Sequence, residues 1–246
     1  MVAAHLAQQA TARRQVAMGP RYTIITPSSG DRPLALALAI RSVAAAMRTA
    51  RFSTADVEML VGFDGVKGPR ITPEADQPAD SYDFIRWFDL PRDGDYGNGI
   101  RNTLLKAARG ERILFVDDDN TLLPEAFLVY EQYPDADLVV ARIDTSLAFT
   151  GPFIPEPEQD GKPLFRQSNV DPLCLCARRE LVVVRCEGWV DHGYRADYTN
   201  MFRYYRRATS VAIAEQLVGV YDAGRHLDAS ARNFRHEKLD NPSRNG

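Results

Sequence analysis

The stretch RILFVDDDNTLLPEAF, residues 112–127, places three adjacent aspartates directly after an apolar run. The run 112–116 predicts a fully buried strand, of the kind found in parallel sheets that are covered on both faces. On an extended backbone alternate side chains share a face, so Asp117 and Asp119 should point together while Asp118 points away. Two convergent carboxylates at a strand end indicate a site for Mg²⁺ or Mn²⁺, because both ions prefer oxygen ligands.

The same acids have a purely structural explanation, which is a turn followed by a helix. Asp119 or Asn120 would then cap the helix, with Pro124 near its first turn. A cap accounts for only one of the three acids, so we prefer the cation site.

Outside this stretch, apolar runs alternate with helical patterns. Predicted strands lie at 22–26, 57–64, 83–90, 112–116 and 136–144, and predicted helices lie at 34–47, 100–109 and 198–208. Gly110 is a fitting stop for the second helix. This alternation predicts an α/β fold with a mostly parallel central sheet flanked by helices. The first half is Rossmann-like and typical of nucleotide binding, and the second half is more variable.

Three polar segments directly follow predicted strands: PSSGDR at 27–32, FDG at 63–65 and DDDN at 117–120. In such sheets ligands sit beyond the carboxyl ends of the strands. We therefore expect these three segments to line one site.

The length of 246 residues suits one large domain. We expect an N-terminal extension at 1–19 and a single domain at 20–235. Its nucleotide-binding half would span 20–140 and its acceptor half 141–235, with a C-terminal tail at 236–246.

The composition, with 45% hydrophobic and 26% charged residues, is that of an ordinary globular protein. A net charge of −3 offers no basic field, so no nucleic-acid partner is expected. No apolar run looks long enough to cross a bilayer, so we expect no integral membrane segment. Cys174, Cys176 and Cys186 fit neither a disulfide framework nor a paired zinc motif, which favours buried thiols and a cytoplasmic setting.

Four segments, taken in order, resemble family 2 glycosyltransferases of the GT-A fold. They are YTIITPSSGDRP at 22–33, VGFDG at 61–65, GNGIRNTLLKAARGERILFVDDDNTLLPEAF at 97–127 and EGWVDHGYRADYTNMFRYY at 187–205. The resemblance implies a hexosyltransferase that uses Mn²⁺ or Mg²⁺ and inverts the transferred sugar. Its donor would be a nucleoside-diphosphate sugar, and its acceptor would be a hydroxyl group of a saccharide or another molecule.

The resemblance also implies roles for residues that contact the nucleoside. Pro27, Ser28 and Ser29 would touch it from the loop after the first strand. Asp64 would bind the base, with help from Arg101 at the start of the next helix. The family usually carries an aromatic–Asn pair in the first loop, where this chain has SSGD.

The DDDN segment corresponds to the DxD-type motif of the family. By that resemblance Asp119 would hold the metal ion on the donor diphosphate, and Asp118 would lie near the ribose. Asp117 would be a supporting metal ligand or a hydrogen-bond acceptor. His226 lies where many relatives carry a histidine, so it could complete the metal shell or contact phosphate.

The catalytic base of the family usually lies in a downstream acidic pair. The matching stretch is RADY, with Ala196 in place of the first acid and Asp197 as the second. Asp197 would accept the proton of the acceptor hydroxyl group. It also precedes a helical pattern and could cap that helix. Asp191 is the rival base.

Two other functions compete with glycosyl transfer. The stretch ILFVDDDNT also fits haloacid-dehalogenase-like phosphatases, with Asp117 as nucleophile, Asp119 as acid/base and Thr121 in support. Against this, two β–α units precede a motif that normally opens its domain, and no second acidic pair follows. A non-catalytic nucleotide-sugar-binding protein on the same fold is the other alternative.

The segment GPFIPEPEQDGKP at 151–163 holds four prolines and two glycines. We expect it, including Gly161, to form a mobile loop over the acceptor side that becomes ordered when substrate binds. The residues that select the sugar, the nucleotide and the acceptor are expected within 151–170.

Overall fold

The computed structural model describes residues 19–73, 81–159 and 161–228. Its strands are β1 Tyr22–Ser28, β2 Val57–Asp64, β3 Ile85–Leu90, β4 Arg112–Phe115, β5 Thr121–Leu122, β6 Leu138–Asp144, β7 Phe153–Ile154, β8 Leu175–Arg178 and β9 Val211–Val220. Its helices are α1 Pro33–Ala50, α2 Asn98–Ala107, α3 Ala126–Tyr130 and α4 Ala196–Arg207, with a 3₁₀ turn at Pro172–Cys174 and a π-helix at Glu180–Arg185.

The strands form one nine-stranded sheet in the order β3-β2-β1-β4-β8-β6-β9-β5, with β7 beside β6. Strands β3, β2, β1 and β4 run parallel, as expected for strands joined by helical crossovers. Strand β8 runs antiparallel to both β4 and β6, and β6 is parallel to β9. The predicted α/β sheet flanked by helices is confirmed, and its irregular part lies in the second half.

The core explains why the first strands read as apolar runs. All seven residues of β1 and the first seven of β2 are buried. Helix α1 covers them with Leu36, Ile40 and Val43, each 0% exposed. By length and composition α1 is apolar enough to cross a bilayer, so the expectation that no apolar run reaches that length is wrong. Half of α1 is buried within this fold, and a core helix of that length satisfies the same criterion.

The prediction that Gly110 stops helix α2 is wrong. The helix ends at Ala107, three residues before Gly110. Gly110 instead passes close to β1, because its N–H donates to Thr23 Oγ1 at 2.8 Å. A Cβ atom at position 110 would lie 2.5 Å from the backbone nitrogen of Thr23. That distance is too short, so a residue larger than glycine does not fit here. The glycine therefore serves this close approach and does not stop the helix.

The three cysteines are free and buried, as predicted. Burial raises the pKa of each thiol, so each favours the neutral form.

A buried carboxylate, Asp137, joins the starts of β6 and β9. It accepts hydrogen bonds from the Thr209 amide at 2.8 Å and from Thr209 Oγ1 at 2.6 Å. Arg185 Nη2 lies 2.8 Å from it. Burial alone would raise the pKa of Asp137, but these partners outweigh it and lower the pKa to about 2.

We expect Asp137→Asn to lower the free energy of unfolding at pH 7 by about 2 kcal/mol. Because the folded-state pKa is depressed, this stability is present above the unfolded-state pKa and is lost as the pH falls from about 4 towards 2. Urea unfolding at pH 7 and near pH 3 measures the difference, with the exposed Asp135→Asn as control. A difference from wild type that is equal at both pH values would contradict this linkage.

Candidate active site

A cavity of about 430 Å³ opens at the carboxyl ends of the parallel strands. Nine of the residues singled out in the sequence line it: Pro27, Ser28, Ser29, Asp64, Arg101, Asp117, Asp118, Asp119 and Asp197. The strand-end segments thus meet at one edge of the sheet, as the topology predicts.

The three adjacent acids, Asp117 to Asp119, lie in a turn that is called the acid turn below. Strand β4 ends at Phe115, and the Asn120 amide donates to the Asp117 carbonyl oxygen at 3.0 Å. The next helix, α3, has Glu125 at its N-cap, so neither Asp119 nor Asn120 caps it and that explanation is wrong. Asp118 and Asp119 both contact the guanidinium of Arg32, so the expectation that Asp118 points away from Asp119 is also wrong.

Arg101 holds Asp117. Its Nη2 donates to both carboxylate oxygens of Asp117, at 2.7 and 2.8 Å. The Arg101 side chain is only 4% exposed, and its Nη1 lies 3.9 Å from Asp197 Oδ1. Burial would lower the pKa of Arg101, but Asp117 and Asp197 outweigh it and raise that pKa. The buried cation thus links the two carboxylates.

The ring of Trp189 packs against Arg101, with the guanidinium carbon 5.1 Å from the ring centroid. Trp189 is 0% exposed, and its Nε1 donates to Asn98 Oδ1 at 2.9 Å. The ring lies outside the cavity lining and supports Arg101 from within the core.

Arg32 holds the other two acids. Its Nη2 donates to Asp118 Oδ1 at 2.5 Å, and its Nη1 pairs with Asp119 Oδ2. Ser28 Oγ also donates to Asp118, at 2.6 Å. Burial raises the pKa of both Asp118 and Asp119, Arg32 opposes this, and neighbouring carboxylates add to it. One guanidinium therefore serves two closely spaced carboxylates.

Asp64 lies on the wall of the cavity, at the end of β2. It accepts hydrogen bonds from the backbone amides of Asp93 at 2.5 Å and Gly94 at 3.0 Å. These bonds tie the glycine-bearing loop after β3 to the end of β2. The predicted contact of Asp64 with a base stays a prediction.

The two rival bases occupy different places. Asp197 is the second residue of α4 and lines the cavity, with its side chain 33% exposed. Arg195 is the N-cap residue, and no side chain caps the helix by a hydrogen bond, so Asp197 is not the cap. Asp191 lies outside the cavity lining, and its Oδ2 is 3.4 Å from Arg203 Nη1.

His226 also lies outside the cavity lining. The segment that carries His226 still contacts the acid turn, because the Gly224 amide donates to the Asp119 carbonyl oxygen at 2.8 Å. Within residues 19–73, 81–159 and 161–228, no three His, Cys, Asp or Glu side chains are grouped to hold a metal ion. Asp117, Asp119 and His226 are therefore not assembled as a ligand set, and the metal role of His226 stays a prediction.

Two exposed tyrosines at the mouth of the cavity escaped the sequence analysis. Tyr96 and Tyr194 pack edge to face, with ring centroids 5.8 Å apart. Their loops are joined by His192 Nδ1 and the Gly193 amide, each 2.9 Å from the carboxylate of Asp95. Nothing in the spacing of the sequence brings residues almost 100 positions apart together.

The predicted loop at 151–163 has some order of its own. Phe153–Ile154 pairs with β6, and Gln159 pairs with Lys162 around a turn that includes Gly161. Residue 160 lies outside the described residues. The described part of this loop does not line the cavity, and its closure over an acceptor stays a prediction.

Solved structures identify the fold. The chain matches TarS 1–349 of S. aureus in complex with UDP at a TM-score of 0.63 and 16% identity, over 82% of this chain and 60% of that one. The same protein in complex with UDP-GlcNAc gives a TM-score of 0.61 at 16% identity, over 82% and 58%. The mannosyltransferase PcManGT from Pyrobaculum calidifontis, in complex with GDP-Man and Mn²⁺, gives 0.54 at 13% identity, over 91% and 66%.

These similarities show that the chain has the mixed α/β fold of GT-A glycosyltransferases. The chain spans about three fifths of the length of TarS 1–349. No protein-family model matches the sequence, and no curated protein matches it.

Proposed function

We propose that this protein is a metal-dependent, inverting glycosyltransferase. It moves a sugar from a nucleoside-diphosphate sugar to the hydroxyl group of an acceptor. The observation that carries this proposal is that the acid turn, the end of β1, Asp64 and Asp197 line one cavity. These segments are distant in the sequence. The resemblance assigns the acid turn to the diphosphate, the end of β1 and Asp64 to the nucleoside, and Asp197 to the role of catalytic base. The three matched structures hold UDP, UDP-GlcNAc, or GDP-Man with Mn²⁺, which supports a nucleotide-sugar donor.

Asp197 supplies the base. The acceptor oxygen forms a bond to the anomeric carbon while its proton passes to the Asp197 carboxylate. The bond from that carbon to the diphosphate oxygen breaks, and the nucleoside diphosphate leaves with the bonding electrons. A single displacement of this kind inverts the anomeric configuration. The first turn of α4 and the guanidinium of Arg101, 3.9 Å away, both place positive charge near the Asp197 carboxylate.

The residues of the cavity fit a divalent cation by charge. Around the acid turn, four carboxylates face two guanidiniums, those of Asp117, Asp118, Asp119 and Asp197 against Arg32 and Arg101. A diphosphate would add negative charge to a cluster that already has an excess. Asp119, with 17% of its side chain exposed, is the residue that would hold the cation. A bound cation offsets the charge that develops on the leaving diphosphate.

The exposed tyrosine pair gives the mouth of the cavity an apolar surface suited to a sugar ring. Tyr96 is 68% exposed and Tyr194 is 67% exposed. Aromatic rings combine large apolar faces with a polar tip, as a sugar-binding surface requires. The pair lies at the mouth beside Asp197, where an acceptor would enter.

The phosphatase alternative loses support. Both oxygens of Asp117 accept hydrogen bonds from Arg101, which leaves this carboxylate a poor nucleophile. Asp119, the acid/base of that mechanism, pairs with Arg32. The acid turn also follows the fourth strand of a GT-A sheet and does not open the fold.

The proposal is tested by incubating the protein with UDP-sugars and GDP-sugars, Mn²⁺ and a mixture of saccharide acceptors. We expect release of nucleoside diphosphate that requires both metal and acceptor, and a product whose anomeric configuration, read by proton NMR, is inverted. Retained configuration would contradict the single displacement. Release of inorganic phosphate from phosphate esters would favour the phosphatase, and nucleotide binding without any turnover would favour the non-catalytic alternative.

A further inference from the structure

Arg32 lies where the cation and the donor diphosphate would meet. It precedes α1 directly, and its guanidinium spans Asp118 and Asp119 through Nη2 and Nη1. Its side chain is 23% exposed and lines the cavity. The guanidinium therefore covers the carboxylates that a cation would need to reach.

A guanidinium and a divalent cation compete for these oxygens, because two positive charges at one carboxylate repel each other. Arg32 brings one positive charge to two acids, whereas a divalent cation brings two. Once the cation has taken Asp119, Arg32 has lost an anionic partner. Its planar fork matches phosphate oxygens as well as carboxylate oxygens.

The exchange requires only a change in the side-chain conformation of Arg32. Its bonds to Asp118 and Asp119 run through the terminal nitrogens, so rotation about side-chain bonds carries the fork away. Asp118 keeps the hydrogen bond from Ser28 Oγ when Arg32 leaves. Both end states thus leave Asp118 and Asp119 with a partner, which a buried charge requires.

We propose that Arg32 is a resident counter-ion, which covers the cation site while no donor is bound and passes to the donor diphosphate when the cation binds. This rests on the proposed function. The binding of the cation and the binding of the nucleoside diphosphate then depend on each other. The cation frees Arg32 for the diphosphate, and the diphosphate gives Arg32 a new anionic partner. Arg32 is thus a donor-binding residue that also controls access of the metal ion.

The test measures Mn²⁺ binding to the donor-free protein by the loss of the electron paramagnetic resonance signal of free Mn²⁺. Arg32→Gln removes the competing charge, so the affinity for Mn²⁺ should rise about tenfold or more, the equivalent of one charge-assisted hydrogen bond. With saturating Mn²⁺, the affinity of the same variant for UDP or GDP should fall about tenfold, because the phosphate loses the fork. Thermal unfolding without Mn²⁺ confirms that the variants are folded.

Arg32→Lys is the matched control, since it keeps the charge but cannot bridge two carboxylates. We expect its affinity for Mn²⁺ to lie between those of wild type and Arg32→Gln. If Arg32→Gln does not raise Mn²⁺ affinity, or if Arg32→Lys binds Mn²⁺ as wild type does, the inference is overturned. If neither wild type nor Arg32→Gln binds Mn²⁺, with UDP, with GDP or alone, the proposed metal dependence fails and takes the inference with it.

Discussion

Asp197→Asn should abolish sugar transfer while leaving donor binding nearly intact. An acceptor hydroxyl group has too high a pKa to attack unaided, so a base must take its proton as the new bond forms. Asparagine keeps the shape of the side chain but cannot accept that proton, so kcat should fall roughly 10²-fold or more. The contact of Asp197 with Arg101 is long, at 3.9 Å, so its loss should leave the fold in place. Steady-state kinetics, with nucleotide binding and thermal unfolding measured in parallel, tests this result.

Asp191→Asn is the control for this experiment. Asp191 lies five residues before α4 begins, faces Arg203 and lies outside the cavity lining. We expect it to change transfer only slightly. If Asp191→Asn is the inactive variant and Asp197→Asn merely lowers the melting temperature, the base has been assigned to the wrong acid.

Asp119→Asn should remove most of the metal-dependent affinity for the nucleoside diphosphate. In the proposed site Asp119 would reach the phosphates only through a cation, and an amide oxygen without charge is a weaker ligand for Mn²⁺ than a carboxylate. We expect the affinity measured in Mn²⁺ to fall roughly 10²-fold, towards the value measured in EDTA. Calorimetric titration of wild type and variant, each with and without Mn²⁺, gives both numbers.

Asp31→Asn separates a ligand effect from a general charge effect. Asp31 lines the same cavity but bonds to Ser29 and not to the acid turn. The substitution Asp31→Asn removes one negative charge from the cavity while leaving Asp119 in place. Equal losses of metal-dependent affinity in Asp31→Asn and Asp119→Asn would show that net charge alone, and no particular ligand, governs binding.

The parallel half of the fold could be predicted from the sequence because its cause is local. Strands buried on both faces must be apolar throughout, and β1, β2 and β4 are such strands. Their order along the chain, with helices between them, then places the polar strand ends at one edge. Asp64 and the acid turn could therefore be assigned to one site before their contacts were known.

The partners of the acids could not be predicted in the same way. From the sequence alone, an arginine that precedes a helix, such as Arg32, is expected to be exposed to solvent. Its pairing with Asp118 and Asp119 depends on how α1 packs against β4. Arg101 was assigned to the nucleoside by resemblance, yet its strongest contact is with Asp117. Pairings between charges remote in the sequence follow from packing, and no period or spacing encodes them.

The buried acid Glu58 shows the same limit inside a strand. It lies in β2 at 3% exposure, where a sequence pattern predicts only apolar side chains. Thr23 Oγ1 at 2.7 Å, Arg86 at 2.9 Å and the Arg109 amide at 2.6 Å satisfy it. These three partners come from three other segments, so the cluster forms only once the sheet is assembled.

Calorimetric titration of the wild-type protein with UDP, GDP, ADP, CDP and TDP, in Mn²⁺ and in EDTA, tests the central claim most directly. The cavity holds more carboxylates than guanidiniums, so a nucleoside diphosphate should need a cation to enter it. We predict that at least one of the five nucleotides binds at least about tenfold more tightly in Mn²⁺ than in EDTA, one charge-assisted contact or more. Equal affinity in both buffers, or no binding of any of them, would contradict the account.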